Sequence, residues 1–210
     1  MQLIAHRGLT NDDIKENTMD AYINAIKNGY DGIELDVRLT KDNNIVCLHD
    51  KLINRTSDGK GNINDLTYKE LLKYNFGTEK CRARIPLLKD VVKKINNSII
   101  VIELKEEIND NLLDDILRVN KSNKYYICSF NKKYIDGISS LNYKKGVINY
   151  VFNTSLDISQ YDFILILEKL FTNTVYNKLI ENNVEPIIYG TLSNIKIKNK
   201  ELINNIKYII

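Results

Sequence analysis

The chain of 210 residues has no tryptophan, two prolines, two histidines and three cysteines. Each shortage excludes something. Cys47, Cys81 and Cys128 are odd in number and widely spaced, with no Cys-x-x-Cys pair. A disulfide framework and a thiolate zinc site are both poor readings, and a reducing compartment is expected. No amphipathic stretch carries a tryptophan or phenylalanine cluster, so stable membrane insertion is not expected. The longest apolar runs, such as 163–167, fall far short of the roughly 20 residues of a membrane span. No basic leader followed by an apolar stretch is visible, which makes a cytoplasmic location the expectation. The net charge is only +3 and the lysines are scattered, which argues against a nucleic-acid partner. Abundant Asn, Ile, Lys and Tyr suggest a bacterial, AT-rich genome. Nothing in the sequence indicates an oligomeric state.

The remainder is ordinary for a globular chain, with 43% hydrophobic and 27% charged residues. Its length suits one domain over residues 1–210 with a substantial core. Short β-rich apolar runs alternate with helical patterns. The strands fall near 2–6, 32–38, 44–49, 99–104, 125–129, 146–150, 162–167 and 185–189. Helices fit 18–29, 67–75, 87–96, 109–120, 131–141, 172–183 and 198–206. Thr18, Thr67 with Glu70, and Asn131 stand where N-caps belong, and Gly29 where a helix ends. Eight strands alternating with helices favour an α/β fold of the TIM-type (β/α)8 kind over an open doubly wound sheet. The irregular stretch 52–86 reads as a small insertion or lid beside the barrel mouth.

The two histidines both end apolar runs, in Leu3-Ile4-Ala5-His6-Arg7-Gly8 and Ile45-Val46-Cys47-Leu48-His49-Asp50. Between them Ile33-Glu34-Leu35-Asp36-Val37 carries two carboxylates on one face of a strand. Val101-Ile102-Glu103-Leu104-Lys105 adds a carboxylate and an amine at the same spacing. Only a tight turn at Asp42-Asn43 separates the second and third strands, too short for a parallel crossover. The pair must be an antiparallel hairpin, and a turn centred between Asp42 and Asn43 sets Asp36 opposite His49. His6, Asp36, Glu103 and Lys105 are expected at the C-terminal ends of strands, where barrels gather function.

Buried carboxylates on adjacent strands repel unless a cation lies between them, and hard oxygen ligands favour Mg²⁺ or Ca²⁺. Glu34, Asp36 and Glu103 are the candidate ligands. His6 and His49 are then free for proton transfer, and Arg7 and Lys105 for a phosphoryl oxygen. The chemistry this implies is metal-assisted acid–base cleavage of an anionic ester. Taken singly each motif has a bland explanation: a structural histidine, an exposed Glu-x-Asp face, a surface Glu-x-Lys pair. Glu106 and Glu107 read as solvent-exposed. The combination, in this order, is what departs from the ordinary.

His6-Arg7-Gly8, Glu16-Asn17-Thr18, Ile33-Glu34-Leu35-Asp36-Val37, Thr40-Lys41-Asp42, His49-Asp50, Arg55-Thr56 and Glu103-Leu104-Lys105 together resemble the glycerophosphodiester phosphodiesterases. Ile85-Pro86-Leu87-Leu88 and Ser129-Phe130 resemble further family elements. The resemblance implies a TIM-barrel hydrolase that releases an alcohol and sn-glycerol 3-phosphate from a small glycerophosphodiester. It implies a divalent cation on Glu34, Asp36 and Glu103, acid–base roles for His6 and His49, and phosphate contacts from Arg7 and Lys105. Glu16 and Asp50 are expected to support these groups. The second half departs from the pattern: Ile188-Tyr189-Gly190-Thr191 stands where the family commonly has Trp-Thr-Val-Asn. The rivals are a lysophospholipase-D-like or phosphoinositide-cleaving barrel and, from another class, a barrel that binds a phosphodiester without cutting it.

Overall fold

The structure is a computed structural model and describes residues 1–140, 142–149, 157–190 and 208–210. Its strands are β1 (Gln2–Ala5), β2 (Gly32–Leu39), β3 (Ile45–Cys47), β4 (Ile99–Leu104), β5 (Lys124–Ser129), β6 (Lys144–Asn149), β7 (Phe163–Leu167), β8 (Glu185–Tyr189) and β9 (Tyr208–Ile209). They form one sheet in the order β1-β9-β8-β7-β6-β5-β4-β2-β3. Because β1 also pairs with β2, eight parallel strands close into a ring. β3 hangs on β2 as an antiparallel spur. The barrel is as expected, but its strand count is not. The run at 44–49 is the spur, and the eighth parallel strand is β9, whose two residues are too few to show a period.

Among the described residues there are six α-helices: α1 (Met19–Lys27), α2 (Tyr68–Leu71), α3 (Leu88–Lys94), α4 (Asp110–Leu117), α5 (Lys132–Asp136) and α6 (Asn173–Glu181), of which α2 lies in the 52–86 insertion. Their starts follow the expected caps. The Thr18 hydroxyl accepts from Ala21 N, Thr67 and Glu70 form a reciprocal capping box, and Asn131 accepts from Lys133 N. α2 and α5 are shorter than expected, with C-caps at Leu72 and Gly137. The expected helix at 198–206 lies outside the described residues.

Strand alternation separates two apolar layers. Ile33, Leu35 and Val37 of β2 and Ile100, Ile102 and Leu104 of β4 face outward and pack on helix residues such as Ala25, Val91 and Leu113. Ile4, Ile99, Val101, Tyr126, Cys128 and Phe163 fill the barrel interior. The 52–86 insertion has a core of its own. Ile53, Ile63, Leu71, Phe76 and Ile85 cluster with Val46 and Leu48 at the spur. Cys47 N donates to Pro86 O at 2.9 Å, which ties the insertion to β3.

Candidate active site

The site arises where inward positions of the barrel stop being apolar. On β4 the inward series runs Ile99, Val101 and then Glu103. On β2 the inward positions are Glu34 and Asp36, and Asp36 is in register with Glu103. All three carboxylates are buried, at 4%, 0% and 6% exposure for Glu34, Asp36 and Glu103. An apolar side chain at such a position would contribute about 1.5–3 kcal/mol to the core, so this layer costs stability. His6 follows β1 directly and Lys105 follows β4. Asp36 is not at a strand end: β2 runs on to Leu39 because the hairpin extends it.

The hairpin register differs from the expected one by a single residue. Thr40 N donates to Asn44 O at 3.0 Å, and Asn43 N to Thr40 O at 2.9 Å. Asn43 is left-handed at φ +57°, so the loop holds three residues instead of two. Val37 therefore pairs with Cys47, and Leu48 N donates to Asp36 O at 3.0 Å. Leu48, not His49, lies opposite Asp36. His49 reaches the pocket because β3 has already ended, and Arg38 Nε holds its carbonyl at 2.9 Å.

A cavity of about 180 Å³ opens on this layer. One side is charged, with His6, Arg7, Glu34, His49, Glu103 and Lys105. The other is apolar, with Phe130, Ile148, Leu165, Tyr189 and Ile210. The loop after β1 makes a left-handed turn, with Arg7 at φ +57° and Gly8 at φ +80°. This turn aims Arg7 N at Glu34 Oε2, 3.0 Å away, and brings Arg7 Nε to 3.1 Å from Asp36 Oδ2. Arg7 Nη1 donates to Glu16 Oε1 at 3.0 Å. Lys105 Nζ lies 2.6 Å from Glu103 Oε1 and 3.2 Å from Asp36 Oδ1. His6 Nε2 is 3.8 Å from Glu34 Oε2. His49 Nδ1 lies 2.6 Å from Asp50 Oδ1, and an ionised carboxylate can only accept, so this nitrogen carries the proton.

Two contributors escaped the sequence reading. Asn17 is buried and left-handed at φ +53°. Its Nδ2 donates to Asp36 Oδ2 at 2.9 Å, while its Oδ1 accepts from the Tyr22 hydroxyl at 2.9 Å. The available signal was an asparagine, which tolerates that conformation, inside Glu16-Asn17-Thr18. Phe130, 40% exposed, stands at the mouth with Lys105 Nζ 5.8 Å from its ring centre.

Burial, then Asp36 and Glu103, push the Glu34 carboxyl well above its ordinary range. Burial and the Asp36 charge push Glu103 up to about 7. Burial acts the same way on Asp36, but Lys105, Arg7 and the Asn17 hydrogen bond outweigh it and hold Asp36 low. Loss of water, then the Arg7 charge, lower the His6 pKa.

One oxygen from each of Glu34, Asp36 and Glu103 lies within 4.8 Å of the others. That spread fits a shared cation with oxygen ligands at about 2.0–2.6 Å. Asp36 Oδ1 is buried and makes no hydrogen bond among the described residues, with the Lys105 ammonium 3.2 Å away. A buried carboxylate oxygen without a hydrogen bond, set beside two more buried carboxylates, is an arrangement that a shared cation would satisfy. The donor set fits a hard divalent cation.

The profile of the glycerophosphoryl diester phosphodiesterase family matches residues 6–171. The chain belongs to that family. A glycerophosphodiester phosphodiesterase from Caldanaerobacter subterraneus subsp. tengcongensis is 37% identical over 141 residues, covering 61% of this chain and 58% of the relative. A human lysophospholipase D is 34% identical over 181 residues, covering 80% of this chain and 55% of the relative. This family member spans about half the length of the curated relatives it matches. A phosphodiesterase from Oleispira antarctica, solved with its product sn-glycerol-3-phosphate, superimposes with a TM-score of 0.87 at 21% identity, covering 100% of this chain and 92% of the other. The family's barrel is the fold described above.

Proposed function

We propose that the protein hydrolyses glycerophosphodiesters to an alcohol and sn-glycerol 3-phosphate. The observation that carries this reading is a cluster of three buried carboxylates, two of which line one small pocket together with both histidines of the chain. Glu34, Asp36 and Glu103 would hold Mg²⁺ or Ca²⁺, which supplies Lewis acidity at a phosphoryl oxygen when bound. Arg7 and Lys105 add positive charge for the remaining phosphoryl oxygens. One histidine takes a proton from the nucleophile and the other gives a proton to the leaving alcohol. Asp50 fixes the His49 proton on Nδ1, which leaves Nε2 for the reacting group. The lowered pKa of His6 suits a neutral imidazole that accepts a proton first. The nucleophile is either the neighbouring glycerol hydroxyl, giving a cyclic phosphate that water then opens, or water itself.

The test is glycerol 3-phosphate release from glycerophosphocholine, -ethanolamine, -glycerol and -inositol, in chelator and after adding back Mg²⁺ or Ca²⁺. Cation-dependent release supports the reading and names the alcohol. Full activity in chelator would remove the cation from it. A second reading, cleavage of lysophospholipids, draws support from the apolar wall at Phe130, Ile148 and Leu165 and from the likeness to the human lysophospholipase D. A folded, cation-binding protein silent on all four diesters but active on lysophospholipids would favour it. Silence on both would leave a barrel that binds without cutting.

A further inference from the structure

The two histidines stand on separate loops, and one guanidinium joins those loops without lining the pocket. Arg55 ends the short 3-10 turn Ile53–Arg55 in the insertion. Its Nε donates to Asp50 Oδ2 at 2.6 Å, and its Nη2 donates to Asp50 Oδ1 at 3.2 Å and to Glu16 Oε1 at 2.8 Å. Asp50 Oδ1 is the atom that accepts from His49 Nδ1. Glu16 Oε1 is the atom that accepts from Arg7 Nη1. The chain His49–Asp50–Arg55–Glu16–Arg7 is therefore continuous from one histidine loop to the other.

Stability is not the distinctive contribution of this arrangement. The Arg55 side chain is 48% exposed, and an isolated exposed ion pair contributes about 0–1 kcal/mol. What a planar fork supplies at such a place is direction. Two parallel bonds to one carboxylate fix its plane, which an ammonium on a flexible stem cannot do. In acid–base sites the group that orients the imidazole sets its tautomer and its aim.

We propose that Arg55 is a positioning residue: it clamps Asp50 so that His49 keeps its proton on Nδ1 and presents Nε2, and through Glu16 it sets the pose of Arg7. This inference rests on the acid–base reading of His49 given above. The Arg55 hydrogen bond also holds the Asp50 carboxyl well below its ordinary range, which keeps it an acceptor. Arg38 also reaches His49, but it bonds the backbone carbonyl and leaves Nδ1 of the ring to Asp50.

The scarcity of histidine makes the test direct. With two imidazoles in the whole chain, ¹⁵N spectra of the histidine side chains report His6 and His49 with little overlap. The wild type is expected to show His49 as the Nδ1–H tautomer. Arg55→Gln should give a mixture of tautomers, with His6 far less affected. Turnover on the diester that the panel identifies should fall about 10–100-fold, the usual cost of removing a group that orients a reacting one, with KM nearly unchanged. Arg55→Lys keeps the charge without the fork and should recover only part of the loss; it is also the variant to use if Arg55→Gln fails to fold. On an Asp50→Ala background, Arg55→Gln should cost less than it does alone, because the path through Asp50 is already cut and only the one through Glu16 to Arg7 is left.

An unchanged His49 tautomer in a folded Arg55 variant would overturn the inference. So would a loss that adds in full to that of Asp50→Ala. The tautomer is read without substrate or cation. A tautomer that responds to Arg55 in a protein that cuts no diester would therefore refute the functional reading and leave the positioning role intact.

Discussion

Gly8→Ala tests how the His6–Arg7 turn is held. Gly8 is left-handed at φ +80°, and a Cβ there would lie 2.6 Å from the Ala21 carbonyl carbon, 2.7 Å from Ala21 Cβ and 2.8 Å from Ala21 O. Two of those atoms are α1 backbone, and Leu9 N already donates to Ala21 O at 2.9 Å. Nothing at the contact is a flexible side-chain end that can swing away. The left-handed conformation costs a residue with a Cβ about 1–2 kcal/mol, and overpacking about 1–3 kcal/mol more. The variant should lose roughly 2–5 kcal/mol, a fall in Tm of about 4–20 °C for a chain of this size. Gly29→Ala is the control: it shares the positive φ, at +83°, but its Cβ would meet nothing within 4 Å. It should lose only the backbone part, about 1–2 kcal/mol, and keep its activity. The turn also aims Arg7 N at Glu34, and a shift of about 1 Å can cost roughly 10²-fold in turnover. Urea unfolding of both variants beside wild type, with turnover measured on the same samples, separates packing from backbone strain. Equal losses for the two would refute the claim that contact with α1 fixes the turn.

His6→Ala and His49→Ala should each lower turnover by about 10²–10⁴-fold, and a variant with near-wild-type turnover would strip that histidine of its role. Glu34→Gln should bind Mg²⁺ or Ca²⁺ more weakly while staying folded; unchanged affinity by calorimetry would count against that ligand. Cation binding should release protons, and affinity should rise with pH up to about 7, because the folded protein holds a proton on Glu103 below that value. The sign for stability follows from the same raised pKa. Without a cation, Glu103 favours the folded state most below its ordinary range near 4.5, and that contribution is lost as pH rises through about 7, which urea unfolding in chelator at pH 5 and 8 would show. Asn17→Ala strips Asp36 and the Tyr22 hydroxyl of a buried partner and should cost about 1–3 kcal/mol, checked by thermal unfolding.

Much of the ionisable layer was legible because strand alternation is rigid. Once 32–38 and 99–104 are strands, Glu34, Asp36 and Glu103 must share the inner face with Ile99 and Val101. Helix starts were legible for a similarly local reason: Thr18, Thr67 and Asn131 cap by chemistry that spans three or four residues. The failures are non-local or hang on one dihedral angle. The left-handed Asn43 adds a loop residue and moves His49 out of register with Asp36. Two residues of β9 close the ring by pairing with β1 and β8, and no pattern of their own marks them. Arg55 lies in an irregular turn, so its bond to the Asp50 carboxylate has no periodicity to betray it.

The close packing of Lys105 and Arg7 on the three carboxylates bears on what a cation displaces when it enters the pocket. Without a cation, burial and mutual repulsion favour protons on Glu34 and Glu103, so the lining does not present three bare negative charges. On the proposed reading a divalent cation would take the place of those protons. Loading would then be an exchange of proton for metal at fixed geometry, which changes the charge of the lining without any moving part.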